Sequence, residues 1–292
     1  MTSPHDAMRL QQLHHLHFGL RAVAERRERS VAVIVPTLNE AATIGRTVAA
    51  LVALRRAGVL DRVLVADAST DDTPRIAERA GAEVVRQRDL HTDLGPVLGK
   101  GDAMWRAASI CTGEEVLCFV DGDSADFADH FPLALIGATA MAGHRFAKGT
   151  YQRPFLDTTG RRSTGGGRVT QLTAKPLLAI LFPPLAAFGQ PLSGEIAIER
   201  DLLARLPLAT GYAVDVALLI DVWRAVGLDA MVEVDLGTRQ NRHRPLHELG
   251  PMAEQVAAAI IDRAGQWPAG DPRPFTERPP RRSAVPRLPD GN

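Results

Sequence analysis

Val116-Leu117-Cys118-Phe119-Val120-Asp121-Gly122-Asp123 is the stretch on which the fold turns. Five apolar residues in succession read as a strand buried on both faces, the habit of a parallel sheet. The strand ends in two carboxylates separated by one small residue, which aims both toward the same mouth of the sheet. There they can share a divalent cation. Mg²⁺ or Mn²⁺ takes hard oxygen ligands and commonly binds through one or two carboxylates plus substrate phosphates. Taken alone, such a trio is also what an Asp-Gly turn with a solvated second Asp looks like. Its neighbours favour the metal.

Working outward, Val31-Ala32-Val33-Ile34-Val35 is a second continuous apolar strand, which Pro36 is expected to stop. Thr37-Leu38-Asn39-Glu40 form a loop before a helical pattern through Ile44, Val48, Leu51 and Leu54. Asn39 and Glu40 then sit at the carboxyl end of a strand, where open α/β sheets bind ligands, with helix capping as the alternative. Arg62 to Ala66 repeats the plan and leads into Asp67-Ala68-Ser69-Thr70-Asp71-Asp72-Thr73-Pro74. Pro74 suits the first helical position with Thr73 as cap, which leaves Asp67 and Ser69, nearer the strand end, as the better candidates for ligand contact. A short strand, Ala82 to Val85, precedes Gly99-Lys100-Gly101-Asp102 and the helix Ala103 to Ala108. Two glycines around a lysine at a helix start can cradle phosphate through backbone N–H groups and one ammonium. Neither a G-x-x-x-x-G-K-[ST] loop nor a G-x-G-x-x-G fingerprint is present, which argues against a P-loop NTPase and a dinucleotide dehydrogenase.

These blocks resemble, in order and spacing, the nucleotide-sugar half of GT-A-fold glycosyltransferases, an α/β mixed sheet flanked by helices. Gly165-Gly166-Gly167-Arg168-Val169-Thr170, Ala174-Lys175-Pro176-Leu177-Leu178, Gln190-Pro191-Leu192-Ser193-Gly194-Glu195 and Arg242-His243-Arg244-Pro245-Leu246 narrow the match. From about Ser30 to Gly250 the chain is similar to the glucosyl-3-phosphoglycerate synthase family. That family moves glucose from UDP-glucose to the 2-hydroxyl of 3-phosphoglycerate with retention, and a close cousin uses mannose and GDP. The resemblance implies that Pro36, Leu38, Asn39, Glu40, Ser69 and Lys100 line the uridine and diphosphate pocket. It implies that Asp121 touches the ribose or sugar, that Asp123 ligates Mg²⁺ or Mn²⁺, and that Leu192 and Tyr212 border the hexose. Asp215 stands where the family has a sugar-contacting glutamate. Gly167, Arg168 and Thr170 match positions that bind the acceptor phosphate, and an arginine fork beside glycine N–H groups suits that role.

The chain departs from the pattern at one place. The family reads His-Arg-Asn-Arg-Pro where this chain reads Asn241-Arg242-His243-Arg244-Pro245. Asn241 therefore takes the position of a metal-ligating imidazole, and His243 that of an acceptor-binding amide. An amide oxygen coordinates Mg²⁺ or Mn²⁺ but is a weaker donor than imidazole. Which of the two residues ligates the metal stays open, and so does the acceptor. The alternatives are another acceptor, GDP-mannose or another donor, and a non-catalytic nucleotide-sugar-binding protein.

The remaining features set bounds. Lys and Arg total 34 and Asp and Glu total 34, so no nucleic-acid footprint is visible. Cys111 and Cys118 lack metal spacing and read as reduced buried thiols of a cytoplasmic protein. No signal peptide is expected, and the apolar run Leu177 to Phe188, broken by Pro183-Pro184, is too short to span a bilayer. Met8 to Glu28, with leucines 10, 13, 16 and 20 on one stripe, predicts an amphipathic helical arm within residues 1–29. His14, His15 and His17 on it lack acidic partners for a metal. Residues 30–140 are expected to form the donor half and 141–266 the acceptor half, closed by a helix from Pro251 to Gly265. The Pro- and Arg-rich stretch 267–292 is expected to be disordered. A homodimer is the expected assembly.

Overall fold

The computed structural model describes residues 10–124, 126–153, 155–156, 162–163, 167–239 and 246–281. Its first half alternates β1 (Gln11–His14), α1 (Leu20–Arg26), β2 (Val31–Thr37), α2 (Ile44–Arg56), β3 (Arg62–Asp67), α3 (Thr73–Ala80), β4 (Glu83–Arg86), α4 (Lys100–Ser109) and β5 (Val116–Phe119). Next come α5 (His130–Ile136), β6 (Phe146–Gln152), a two-residue pair β7 (Phe155–Leu156) and β8 (Arg162–Ser163), and α6 (Lys175–Leu181). The chain closes with β9 (Ile196–Glu199), α7 (Arg200–Leu203), β10 (Leu208–Ala209), α8 (Val214–Val226), β11 (Met231–Thr238), α9 (Gly250–Arg263) and β12 (Glu277–Arg278).

Eight strands form one sheet in the order β1-β11-β6-β9-β5-β2-β3-β4. All pairings in it are parallel except those of β9, which lies antiparallel between β5 and β6. Alternate side chains of each strand feed opposite cores, as a period of two requires. Ile34, Leu64 and Phe119 face Met104 of α4, Leu178 of α6, Val214 of α8 and Ile260 of α9. Val33, Val65 and Cys118 face Val48 of α2, Ala77 of α3 and Leu135 of α5. Both faces are covered, which is why β2 and β5 read as unbroken apolar runs.

Three expectations change. Pro36 does not stop β2: it pairs with Ala66 of β3, while the β5 register ends at Ile34–Phe119. With no β5 residue paired at its level, the missing N–H costs nothing there. The amino-terminal arm is not one helix. Gln11 to His14 add a parallel strand to β11, with Gln12 Nε2 donating to Glu233 at 3.2 Å, and Gly19 caps the short α1. The leucine stripe is split accordingly: Leu13 packs on the core, while Leu16 and Leu20 are exposed. At the other end, residues 267–281 of the stretch expected to be disordered hold defined positions, and β12 pairs antiparallel with β10; residues 282–292 lie outside the described residues. A smaller shift puts Asp72 at the α3 cap position, with Thr73 opening the helix. Cys111 and Cys118 are free and buried. Among the described residues no helix is long and apolar enough to cross a membrane.

Candidate active site

The carboxyl ends of β2, β3 and β5 meet at one mouth, and local chemistry shapes the loops that leave them. Asn39 adopts a left-handed conformation (φ 59°), which an asparagine tolerates because its short amide can bond nearby backbone. Its N–H donates to Ser69 Oγ at 2.7 Å, and its Oδ1 accepts from Thr70 N at 3.0 Å. Thr73 Oγ1 accepts from Glu40 N at 2.8 Å. These bonds staple the β2 loop to the β3 loop. Asp67, expected to contact ligand, is instead buried under them, held by Thr37 Oγ1 at 3.0 Å and by Arg86, so it acts as a strut. Thr43 Oγ1 donates to Gly122 O at 2.7 Å and ties the same loops to the Asp121-Gly122-Asp123 turn. Pro36 lies at this mouth and Leu38 projects into solvent, 62 % exposed.

Charges alternate around Asp121. Lys100 Nζ, at the start of α4, lies 3.1 Å from Asp121 Oδ1 and 3.3 Å from both oxygens of Asp215 in the first turn of α8. Arg239, directly after β11, is fully buried. One of its amines pairs with Glu195, and Nη2 lies 3.8 Å from a carboxylate oxygen of Asp121 and of Asp123. Its guanidinium stacks over the Tyr151 ring at 5.4 Å. Burial works to raise Asp121, but Lys100 and Arg239 reverse it and hold the carboxyl at about 2. Burial wins at Asp215 and Glu195, whose carboxyls are shifted up despite their cationic neighbours. Asp121 is therefore the permanently charged centre of the cluster.

The turn before β9 supplies the floor. Lys148 of β6 donates to Ser193 O at 2.7 Å, and Ser193 Oγ donates to Glu195 at 3.1 Å. Gly194 runs against the ion pair so closely that a Cβ there would lie 2.3 Å from Lys100 Nζ and 2.5 Å from Asp121 Oδ1. Gly194→Ala is expected to leave the melting temperature almost unchanged, since only side-chain tips must move. It should cut kcat/KM by about 100-fold, the scale of a 1 Å misplacement. Steady-state kinetics beside thermal melting checks this; parental kcat/KM would show that the spacing of the pair is immaterial.

Burial pushes the Lys148 ammonium down to about 8, against the pull of Asp215, Glu195 and Asp121 and with the push of Lys100. Between that value and the usual lysine range the unfolded chain holds a proton that the folded chain does not. Stability contributed at this site therefore rises with pH in that window. Urea unfolding of the parent and of Lys148→Met should diverge in the parent's favour from pH 7.5 to 10, by at most about 3 kcal/mol. A pH-independent difference would contradict the shift.

Leu192 is buried beside this turn and Tyr212 is partly exposed, its N–H donating to Gln255 Oε1 at 2.9 Å. Gly167 is left-handed (φ 88°), close to Thr170 Oγ1 and to Gln190 Oε1, a buried oxygen with no hydrogen-bond partner among the described residues. Arg168 is half-buried beside it and Thr170 is buried. Asn241 and His243 lie outside the described residues. Among those described, no group of three or more His, Cys, Asp or Glu side chains is arranged to hold a metal ion. Asp121, Lys100, Asp215 and Asp123 thus come together, as do the Asn39, Glu40 and Ser69 loops. Arg239, Lys148 and Glu195 also belong to the cluster; no local pattern marks Arg239 or Lys148, whose strand reads Phe146-Ala147-Lys148-Gly149-Thr150-Tyr151-Gln152, and Glu195 stands at the end of the Gln190–Glu195 block.

A family model described as glycosyl transferase family 2 matches residues 32–177. A glucosyl-3-phosphoglycerate synthase of Mycolicibacterium smegmatis is 41% identical over 239 residues, 81% of this chain and 78% of that protein. The chain belongs to the glucosyl-3-phosphoglycerate synthase family. It is a glycosyltransferase with a GT-A-like fold. The crystal structure of the Mycobacterium tuberculosis glucosyl-3-phosphoglycerate synthase with Mn²⁺, UDP-glucose and phosphoglyceric acid superposes with a TM-score of 0.82 at 36% identity, covering 95% of this chain and 99% of that one. Mannosyl-3-phosphoglycerate synthase from Rubrobacter xylanophilus superposes with a TM-score of 0.86 at 35% identity, covering 94% and 98%.

Proposed function

We propose that this glycosyltransferase moves glucose from UDP-glucose to the 2-hydroxyl of 3-phosphoglycerate, with retention at the anomeric carbon. The observation that carries the reading is the Lys100 ammonium lodged between Asp121 and Asp215, with Arg239 Nη2 lying 3.8 Å from both Asp121 and Asp123. Asn39, Glu40 and Ser69 line the uridine side with Pro36 and Leu38, and Leu192 and Tyr212 border the hexose. Gly167, Arg168, Thr170 and His243 take the acceptor's phosphate.

The residues suit a divalent cation in their donor chemistry: Asp121 and Asp123, separated by one residue, stand at the sheet mouth, each with a carboxylate oxygen 3.8 Å from Arg239 Nη2, and carboxylates are the hard oxygen ligands that Mg²⁺ and Mn²⁺ take. Asp123 and Asn241 would hold Mg²⁺ or Mn²⁺, which supplies charge neutralisation of the diphosphate leaving group. Lys100 offers a second positive charge to the same diphosphate. Asp121 binds hydroxyls of the ribose or sugar. As the bond from the anomeric carbon to the diphosphate breaks, its electron pair passes to the phosphate oxygen. The acceptor hydroxyl bonds to that carbon from the same face and gives its proton to a diphosphate oxygen. Asp215 orients the sugar and supports its developing positive charge, so no covalent sugar–enzyme bond is required.

UDP release tests the reading: with Mn²⁺ present, it should require both UDP-glucose and 3-phosphoglycerate. Release that ignores 3-phosphoglycerate would remove that acceptor. A mannosyl donor is the second reading, favoured by the likeness to the Rubrobacter enzyme, and GDP-mannose belongs in the same assay. A cytoplasmic homodimer completes the proposal, and light scattering at assay concentration tests the dimer.

A further inference from the structure

The last described residues form a strap over the amino end of α4. Thr276 O accepts from Thr210 N at 2.8 Å, Thr276 N donates to Thr210 Oγ1 at 3.0 Å, and Pro279 O accepts from Trp105 Nε1 at 2.8 Å. Between these contacts Arg278 reaches inward to Asp102, which is fully buried. The fork is bidentate: Nε to Oδ1 at 2.7 Å and Nη2 to Oδ2 at 2.8 Å. Asp102 also accepts from Leu98 N at 2.9 Å and from Arg106 Nε at 3.1 Å. Burial works to raise the Asp102 carboxyl, but the Arg278, Leu98 and Arg106 donors hold it below the usual range.

Lys100 stands two residues before Asp102, in the same helical turn. That turn has no slack. A Cβ on Gly101 would lie 1.9 Å from Ala209 O, and one on Gly99 would lie 3.1 Å from Gly211 Cα. Gly211 N in turn donates to Leu98 O at 3.0 Å. Ala209 belongs to β10, the strand on which the strap is paired, and the chain runs from there through Gly211 into α8 and Asp215. The strap therefore touches α4, which carries Lys100, and the strand that leads into α8 and Asp215.

We propose that Arg278 is a positioning residue: by clamping Asp102 it fixes the first turn of α4 and holds the Lys100 ammonium where the donor's diphosphate departs. The inference rests on the reading of Lys100 given above. A planar fork suits the task because two parallel bonds fix orientation as well as distance.

Arg278→Met and Arg278→Lys, made in the full chain, test it against Arg273→Met. Arg273 lies on the same closing segment and pairs with Asp262 at 2.8 Å and, loosely at 4.0 Å, with Glu277, so its side chain is directed to α9 and the strap and not to Asp102. Arg278→Met should raise the Kd for UDP and the KM for UDP-glucose about tenfold, as displacement of a binding group predicts, with the KM for 3-phosphoglycerate unchanged. Arg278→Lys should fall between it and the parent, and Arg273→Met should match the parent. Hydrogen exchange at residues 101–104 should quicken in Arg278→Met and not in Arg273→Met. Should Arg278→Met fail to fold, Arg278→Lys carries the comparison. Parental UDP affinity together with parental exchange in the Arg278 variants would overturn the proposal. Absence of UDP binding in the parent would instead sink the functional reading, while exchange at 101–104 still decides the strap.

Discussion

Lys100→Met is expected to lower kcat by about 10³-fold, the upper range for removing one preorganised donor from a developing negative charge. Burial alone would depress the ammonium, yet Asp121, Asp215 and Glu195 raise its pKa above the usual lysine range. It is a fixed positive charge at every working pH, and methionine keeps its bulk without that charge. Two consequences separate this variant from a damaged fold. Affinity for UDP in the presence of a chelator should fall, because the cation meets the diphosphate directly. Asp121 should also lose part of its depression, since Lys100 is the largest attractive contributor to it. Calorimetric UDP titration measures the first, the low-pH limb of the kinetic pH profile measures the second, and a kcat within threefold of the parent would remove Lys100 from the chemistry.

Asp123→Asn is expected to cost at least about 100-fold in metal-dependent turnover, which even outer partners of a bound metal can reach. Its side chain is 43% exposed, so the fold has little reason to change. The signature is the reverse of the lysine variant. UDP affinity in chelator should stay at the parental level or improve, because a negative charge near the diphosphate is gone. The tightening of UDP by Mn²⁺ should disappear. Full activity in a folded Asp123→Asn protein would strike the residue from the metal site.

Much of the donor side was legible because parallel strands buried on both faces leave continuous apolar runs, and Val31 to Val35 and Val116 to Val120 are such runs. The loops after them were legible for the same reason: a strand end followed by Asn39, Ser69 or Asp121 places polar groups at a predictable mouth. Other parts had no local signature. Leucines 10, 13, 16 and 20 mimic a helical stripe, but β11 offers Gln11 to His14 an edge to pair with, which spacing cannot reveal. The Pro- and Arg-rich end lacks periodicity, and its order comes from Arg278 and Asp102, 176 residues apart. Arg239 follows a strand like any solvated arginine, and only the tertiary fold buries it against Glu195. The roles of Asn241 and His243 remain proposals to be tested with Asn241→His, His243→Asn and their combination.

The most direct test of the central claim is the structure of the product. Incubation with UDP-glucose carrying ¹³C at the anomeric carbon, 3-phosphoglycerate and Mn²⁺ should yield one new compound with the mass of a hexose joined to phosphoglycerate. Its anomeric proton should show the small coupling of an α-linkage, with a carbon–carbon or carbon–proton correlation to C2 of the glycerate. Unlabelled 3-phosphoglycerate recovered unchanged beside free labelled glucose, or a product with the large coupling of a β-linkage, would contradict the account.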